Sequence, residues 1–206
     1  LKKQLLTFQK NEDVKITYSS GYFINKDSTL VGEFKTSYNT RNCYRRNIAN
    51  YEVNLQSLIF EKSILNNQEK IKFDNKLTHV EDLDLFLKIA LKNKVSVERD
   101  KLVKYRLHEK QSSRNNFLIW YDESSYILKK HFSDSKIKKV PWFKEIKFFK
   151  AKVAYYKCRA ISNGEINGEI KEELRSFKFI NFKFFILYVC SYSTFLWKIL
   201  IATRKI

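Results

Sequence analysis

The residues that could do chemistry fall in three places along the 206-residue chain. Glu81 and Asp82 are adjacent acids at the head of the apolar run EDLDLFLKIALKN. Acids in a first helical turn are favoured by the helix dipole. Thr78-His79-Val80-Glu81 also has the S/T-x-x-E form of a capping box, which places Thr78 at the N-cap. That reading asks nothing of the two acids beyond stabilising a helix. A helix N-terminus lowers a carboxylate's pKa, whereas a proton acceptor working near neutral pH needs it raised, so a chemical role for Asp82 demands burial. Asp82-Leu83-Asp84 spells D-x-D, but residues i and i+2 on a helix point to different sides and do not converge easily on one ion. In the second place, Arg106 and His108 stand two apart on a predicted strand. They share a face, which suits joint contact with one anion or a plain solvent-facing polar stripe. In the third, Gln56 and Ser57 interrupt the apolar run LQSLIF, and they either face a bound molecule or are satisfied inside the fold. His79 and His131 have no partners visible in the sequence. The four glycines (Gly21, Gly32, Gly164, Gly168) build no phosphate-cradling loop.

The elements that must position these residues are legible from periodicity. Residues 1–11 form a short amphipathic helix with Leu1, Leu5, Leu6 and Phe8 on its apolar side, ending at Asn11. Val14–Asn25 alternates and is rich in β-branched and aromatic residues, so it reads as a strand. The segment NKDS is a turn, and Thr29–Phe34 returns as a second strand. Residues 40–51 are partly helical, Leu55–Phe60 is a buried strand, and EKSILNN is a helical turn. Glu81–Asn93 is a helix whose Leu83, Phe86, Leu87, Ala90 and Leu91 share one side, with Asp84 and Lys88 as an i,i+4 pair on another. Lys94–Val97 and Leu102–Leu107 read as two strands around an Arg99-Asp100-Lys101 turn. Residues 114–132 are helical, as is the stretch from Pro141 to about residue 161, and Asn163–Gly168 breaks it. Strands alternating with helices in the first two-thirds indicate an α/β layer fold.

Composition narrows the classes. Forty Lys+Arg against 22 Asp+Glu leave a net charge of +18, and 44% hydrophobic residues exclude intrinsic disorder. An AT-rich coding sequence accounts for part of the lysine excess. Residues 1–110 carry 21 basic and 14 acidic residues and the remainder 19 and 8, so the excess leans toward the C-terminal end. There it mixes with Phe, Tyr and Trp, which favours an anionic surface, membrane or nucleic acid, as partner. Three scattered cysteines without a CxxC pair point to a reducing compartment. Phe184–Trp197 is fourteen residues without a charge, short of the about 20 that a span requires. With Lys178 and Lys183 before it and Lys198, Arg204 and Lys205 after, an interfacial or protein-docked helix fits better than a true span, and an ordinary core helix is the plain alternative.

Four blocks in order then carry a resemblance. LKKQLLTFQKNEDVKITYSSGYFINKDSTLVGEF resembles the segment after the metal-binding acidic loop of bacterial family-two glycosyltransferases of the GT-A fold. LQSLIFEKSIL is similar to the strand and helix flanking that family's acceptor site. FDNKLTHVEDLDLFLKIALKNKV resembles its most specific block, a Glu-Asp pair opening a helix of the form EDxDLxLxIA. LVKYRLHEKQSS matches the Tyr-Arg-x-His segment that follows. The resemblance covers residues 1 to about 116. Two departures stand in it: Ser20 where relatives often have an acid, and no Gly-Gly before Phe73-Asp74.

What the resemblance implies is an incomplete GT-A, Rossmann-like mixed sheet flanked by helices, with a helical basic and aromatic C-terminal tail. The expected domains are residues 1–116 (acceptor side), 117–175 (helical extension) and 176–206 (tail). The family transfers a sugar from a nucleotide-sugar to an acceptor hydroxyl, usually with inversion. An alcohol is a poor nucleophile, so a carboxylate takes its proton as the new bond forms. Asp82 is the implied base and Glu81 its neighbour. Arg106 and His108 are implied contacts to the donor diphosphate or its metal, and Gln56 and Ser57 to the acceptor. The implied cofactor is a divalent metal, Mg or Mn, stabilising the leaving diphosphate. Its main ligands are expected upstream of Leu1, in a nucleotide-binding half, and His108 is the one side chain here that could join them. The chain lacks methionine even at position 1 and reads as a fragment inactive alone. The implied partners are a nucleotide-sugar donor, a glycan or lipid-linked acceptor in surface polysaccharide synthesis, and an anionic membrane. The implied location is cytoplasmic, peripheral on the inner face of the membrane. A basic nucleic-acid-binding module and a catalytically dead interaction domain are the alternatives, the former without a recognised motif and with an acidic helix ill placed beside phosphates.

Overall fold

The computed structural model of the protein describes residues 1–37, 43–66, 71–108, 116–132 and 143–203. Its contacts fall into two units, Leu1–Arg114 and Asn115–Ile206. The second holds both the expected helical extension and the expected tail.

In the first unit the β-branched and aromatic run forms strand β1 (Val14–Ile24), buried along most of its length. Asn25 turns the chain: its Oδ1 accepts from the N–H of Asp27 at 3.0 Å and of Thr29 at 2.9 Å. Strand β2 (Leu30–Phe34) then returns antiparallel, with Gly21 opposite Phe34 and Phe23 opposite Gly32. Strand β3 (Ile59–Phe60) pairs antiparallel with Ile16 and Thr17, and β4 (Lys94–Arg106) runs parallel to β1 from Val14 to Ile24. A strand has two edges, so β4 holds one edge of β1 while β2 and β3 share the other. The result is a mixed four-stranded sheet, flanked by helices α1 (Lys2–Lys10), α2 (Cys43–Ala49), α3 (Ser63–Asn66) and α4 (Glu81–Ala90). The unit is α/β and consistent with part of a Rossmann-like fold. Gly21 is required where it stands, because a Cβ there would meet the Phe34 ring and sit 2.6 Å from the Val103 carbonyl oxygen.

Several expectations are corrected. The two strands expected around Arg99-Asp100-Lys101 are one strand. Both halves pair with β1 in the same direction, and Arg99 and Asp100 are extra residues between the Ser19–Glu98 and Ser20–Lys101 pairings, a bulge rather than a hairpin turn. Of LQSLIF only Ile59–Phe60 is strand, while Leu55–Ser57 is a 3₁₀ turn capped by Asn54, whose side chain accepts from the Gln56 N–H. Helix α1 buries Gln4 and leaves Leu1, Leu5 and Leu6 exposed. The Gln4 amide donates to the Ser57 carbonyl at 2.8 Å, satisfying a buried main-chain oxygen that a leucine could not. Helix α4 starts at Glu81 with Val80 as its cap residue and no side-chain cap bond. Thr78 lies too early to cap it, and its hydroxyl is 2.9 Å from His79 Nδ1.

The second unit is helical: α5 (Phe117–His131), α6 (Phe143–Ser162), α7 (Ile170–Arg175), α8 (Phe182–Cys190) and α9 (Thr194–Thr203). The break expected at Asn163–Gly168 ends α6. Gly164 takes φ +75° and donates to Ile161, and Glu165 donates to the Ala160 carbonyl, which together close a Schellman cap. Ala151, Cys158, Leu174, Phe184, Leu187 and Trp197 form its core. The uncharged run Phe184–Trp197 is two helices with a break at Ser191–Ser193. Among the described residues no helix is long and apolar enough to cross a membrane.

Candidate functional site

Helix α4 lies against β1 through Phe86, whose ring meets Tyr18 edge-on at 6.0 Å and Tyr51 at 5.9 Å between centroids. Nearly all of α4 is buried, including Leu85 and Ile89 as well as the expected apolar side, while Leu91 is exposed. Asp82 sits one turn before Phe86 on the same side, since residues four apart on a helix are neighbours. The Tyr51 ring packed on Phe86 therefore brings its hydroxyl to the Asp82 carboxylate. That hydroxyl is buried and stands near enough to lower the pKa of Asp82, while falling short of a well-formed hydrogen bond.

The Asp82 carboxyl is only partly accessible to solvent, and burial raises its pKa from the usual 3.8 to about 6. The Leu83 N–H, donating to Oδ1 at 2.7 Å, opposes that rise, the charge of Glu81 adds to it, and Tyr51 opposes it again. Burial by the protein's own residues outweighs the main-chain hydrogen bonds at the helix terminus. Glu81 keeps a buried carboxylate oxygen, Oε2, with no hydrogen-bond partner among the described residues. Burial raises the Tyr51 pKa well above its ordinary value, and Asp82 is the charge that adds most to that.

Tyr51 is held in place by its neighbour. Glu52 Oε1 accepts from Arg46 Nε and from the Ser37 N–H, both at 2.9 Å, and the Glu52 N–H donates to Asn47 Oδ1 at 3.0 Å. Arg46 Nη2 reaches the Ser37 carbonyl at 3.0 Å and the Tyr18 hydroxyl at 3.3 Å, and that hydroxyl is also 3.3 Å from Cys43 Sγ. Sequence reasoning missed Tyr51, Glu52, Arg46 and Tyr18. The only signal was a run of polar side chains beside aromatics over residues 43–52, and nothing local says that it meets α4.

The remaining expected residues are placed elsewhere. Arg106, the last residue of β4, donates through Nη1 to the carbonyls of Asn25 and Lys26 at 2.8 Å each and through Nη2 to Ser28 Oγ at 3.0 Å. Its guanidinium braces the turn between β1 and β2. His108 is exposed and lies past the end of β4, so the shared strand face expected for the two does not form. Ser57 is buried: its hydroxyl donates to the Asn54 carbonyl at 2.8 Å and accepts from the Ser19 N–H at 3.3 Å. Gln56 is exposed on the 3₁₀ turn. Asp84 is fully buried and paired with Lys88 at 2.6 Å, facing away from Asp82 as helix geometry requires. Ser20 is a structural residue, its Oγ accepting from the Thr36 N–H at 3.1 Å.

No family model matches the chain. It is similar to an uncharacterized glycosyltransferase of Methanocaldococcus jannaschii, 28% identical over 142 residues. The match takes in 66% of this chain and 47% of that protein, so the chain spans about half the length of its relative. The likeness supports a glycosyltransferase-like kind.

The arrangement can accept a proton. A carboxylate with a pKa near 6 is largely ionised at pH 7 yet basic enough to take a proton from a hydroxyl as that oxygen forms a bond. Glu81 beside it adds negative charge, and the Tyr51 hydroxyl can orient one carboxylate oxygen. Among the described residues no three His, Cys, Asp or Glu side chains converge to hold a metal ion. The groups that face one another at the head of α4 are two carboxylates and a tyrosine.

Proposed function

We propose that the chain carries the acceptor-side chemistry of an inverting family-two glycosyltransferase. Asp82 takes the proton of the incoming hydroxyl as that oxygen attacks the anomeric carbon of a nucleotide-sugar and the nucleoside diphosphate leaves. The acceptor is a glycan or a lipid-linked glycan of a surface polysaccharide. The observation that carries this reading is the Asp82 carboxyl, raised to about 6 by burial at the head of α4 and faced by Tyr51. The order of the four sequence blocks and the distant glycosyltransferase relative support it. Arg106 braces a turn here, so its proposed contact to the donor diphosphate would require that turn to open.

The test is Asp82→Asn in the natural full-length protein, supplied with a panel of nucleotide-sugars and assayed for nucleoside diphosphate release. Loss of about 10²–10⁴ in rate is expected for removal of a general base, with an unchanged circular dichroism spectrum. Transfer at the parent rate would remove Asp82 from the mechanism.

A further inference from the structure

Helices α8 and α9 each carry two apolar faces. In α8, Phe184 and Leu187 are buried, whereas Phe182, Phe185 and Val189 are exposed on the opposite side at spacings of three and four. In α9, Trp197 is buried and Phe195, Leu196 and Ile199 face outward. Phe179, just before α8, is 81% exposed. A helix on the outside of a folded unit ordinarily turns polar residues outward, and large apolar side chains exposed together on two consecutive helices mark an interaction site.

The charges around it identify the partner. From Leu174 to Ile206 the sequence holds six basic residues and no acid. Lys178, Lys183 and Lys198 border the apolar surface. Among the described residues none of the three has a carboxylate at ion-pair distance, whereas Lys157 and Arg175 in the same unit do. The Lys178 ammonium lies over the rings of Phe179 and Tyr188, 5.0 and 5.2 Å from their centroids, which leaves its charge beside the apolar surface. Helices of nine and ten residues at about 1.5 Å per residue reach about 15 Å, half the hydrocarbon core of a bilayer. They are too short to cross one and suited to lie in its interface, aromatic side chains down and lysines among the headgroups.

We propose that the outward face of α8 and α9 is a docking surface for an anionic lipid bilayer, in which Phe182, Phe185 and Phe195 enter the interface and Lys178, Lys183 and Lys198 meet the headgroups. This goes beyond the glycosyl-transfer reading and does not rest on it.

The full chain is sedimented with vesicles of phosphatidylcholine alone and of phosphatidylcholine mixed with phosphatidylglycerol. Binding to the mixed vesicles is expected, with little to the neutral ones. It should weaken about tenfold or more in Phe182→Ser/Phe195→Ser and in Lys178→Glu/Lys183→Glu/Lys198→Glu, because both apolar burial and headgroup attraction contribute. Asp82→Asn should bind like the parent, which separates this proposal from the catalytic one. A Phe195→Trp variant gives a readout independent of loss: its added emission should shift to the blue on the mixed vesicles. No sedimentation, no blue shift, or binding that survives the phenylalanine substitutions would overturn the proposal. Self-association without lipid that the phenylalanine substitutions abolish would assign the face to a second copy instead.

Discussion

Asp82 is a carboxylate that the fold makes less acidic, and this has a consequence for stability separate from catalysis. The folded state holds a proton on Asp82 up to about pH 6, whereas an unfolded chain releases it near the ordinary 3.8. Between those values the folded state binds more protons, so stability falls as pH rises through that window and levels off above it. The full difference corresponds to about 3 kcal/mol, and partial exposure reduces it. Asp82→Asn keeps the shape and an acceptor for the Leu83 N–H but carries no charge. Urea denaturation should therefore find it about 1–3 kcal/mol more stable than the parent at pH 7.5 and equal to it at pH 4, while transfer is lost. A second expectation concerns Tyr51. Its hydroxyl lowers the Asp82 pKa, so in Tyr51→Phe the acid limb of the pH–rate profile should move upward, with full rate recovered at high pH. An unmoved limb would reduce Tyr51 to a packing residue.

At the scale of elements, the central strand is the part least able to adapt. Strand β1 is flanked on both edges, and Gly21 lies where the Phe34 ring and the Val103 carbonyl approach its backbone most closely. Gly21→Ala must displace an aromatic ring and a strand together, at a cost of about 1–3 kcal/mol, read as a lower urea midpoint with an unchanged slope. The elements also show where periodicity misleads. β-Branched and aromatic residues marked β1, although the fold buries it along most of its length, and the NKDS turn marked β2 as its return strand. Periodicity could not show that Lys94–Arg106 is one strand, because a bulge and a turn share the polar composition Glu98-Arg99-Asp100. Nor could it show that α1 turns Gln4 inward, since the amide is drawn there by the Ser57 carbonyl, a partner supplied by a distant segment.

At the scale of the whole molecule, the two units carry separate cores, and each core contains one buried cysteine. Cys43 lies in the first beside Tyr18, and Cys158 in the second, its thiol pKa raised to about 12 by burial. All three cysteines are free, and Cys190 is the most accessible. With a thiol-reactive chromophore, one sulfhydryl should therefore react quickly in native buffer and two slowly, all three becoming fast in denaturant. The two slow rates report the opening of each unit. Should they respond differently to urea, the units open independently, and a shared response would mean a single cooperative transition.

The sequence by itself determined the class of the fold, most of its elements and the acid pair at the head of α4, because hydrophobic period and local motif are properties of neighbouring residues. It also marked the uncharged basic-flanked tail, though not its division into two helices. Only the tertiary structure decided what Asp82 faces. Its raised pKa comes from burial and is adjusted by Tyr51, which comes from residues 43–52, far from α4 in sequence, where Arg46 and Asn47 fix the neighbouring Glu52. It likewise decided that Arg106 and Ser57 are engaged within the fold rather than left facing a ligand. Burial and side-chain pairing are set by segments far apart along the chain, and no local spacing encodes which of them will meet.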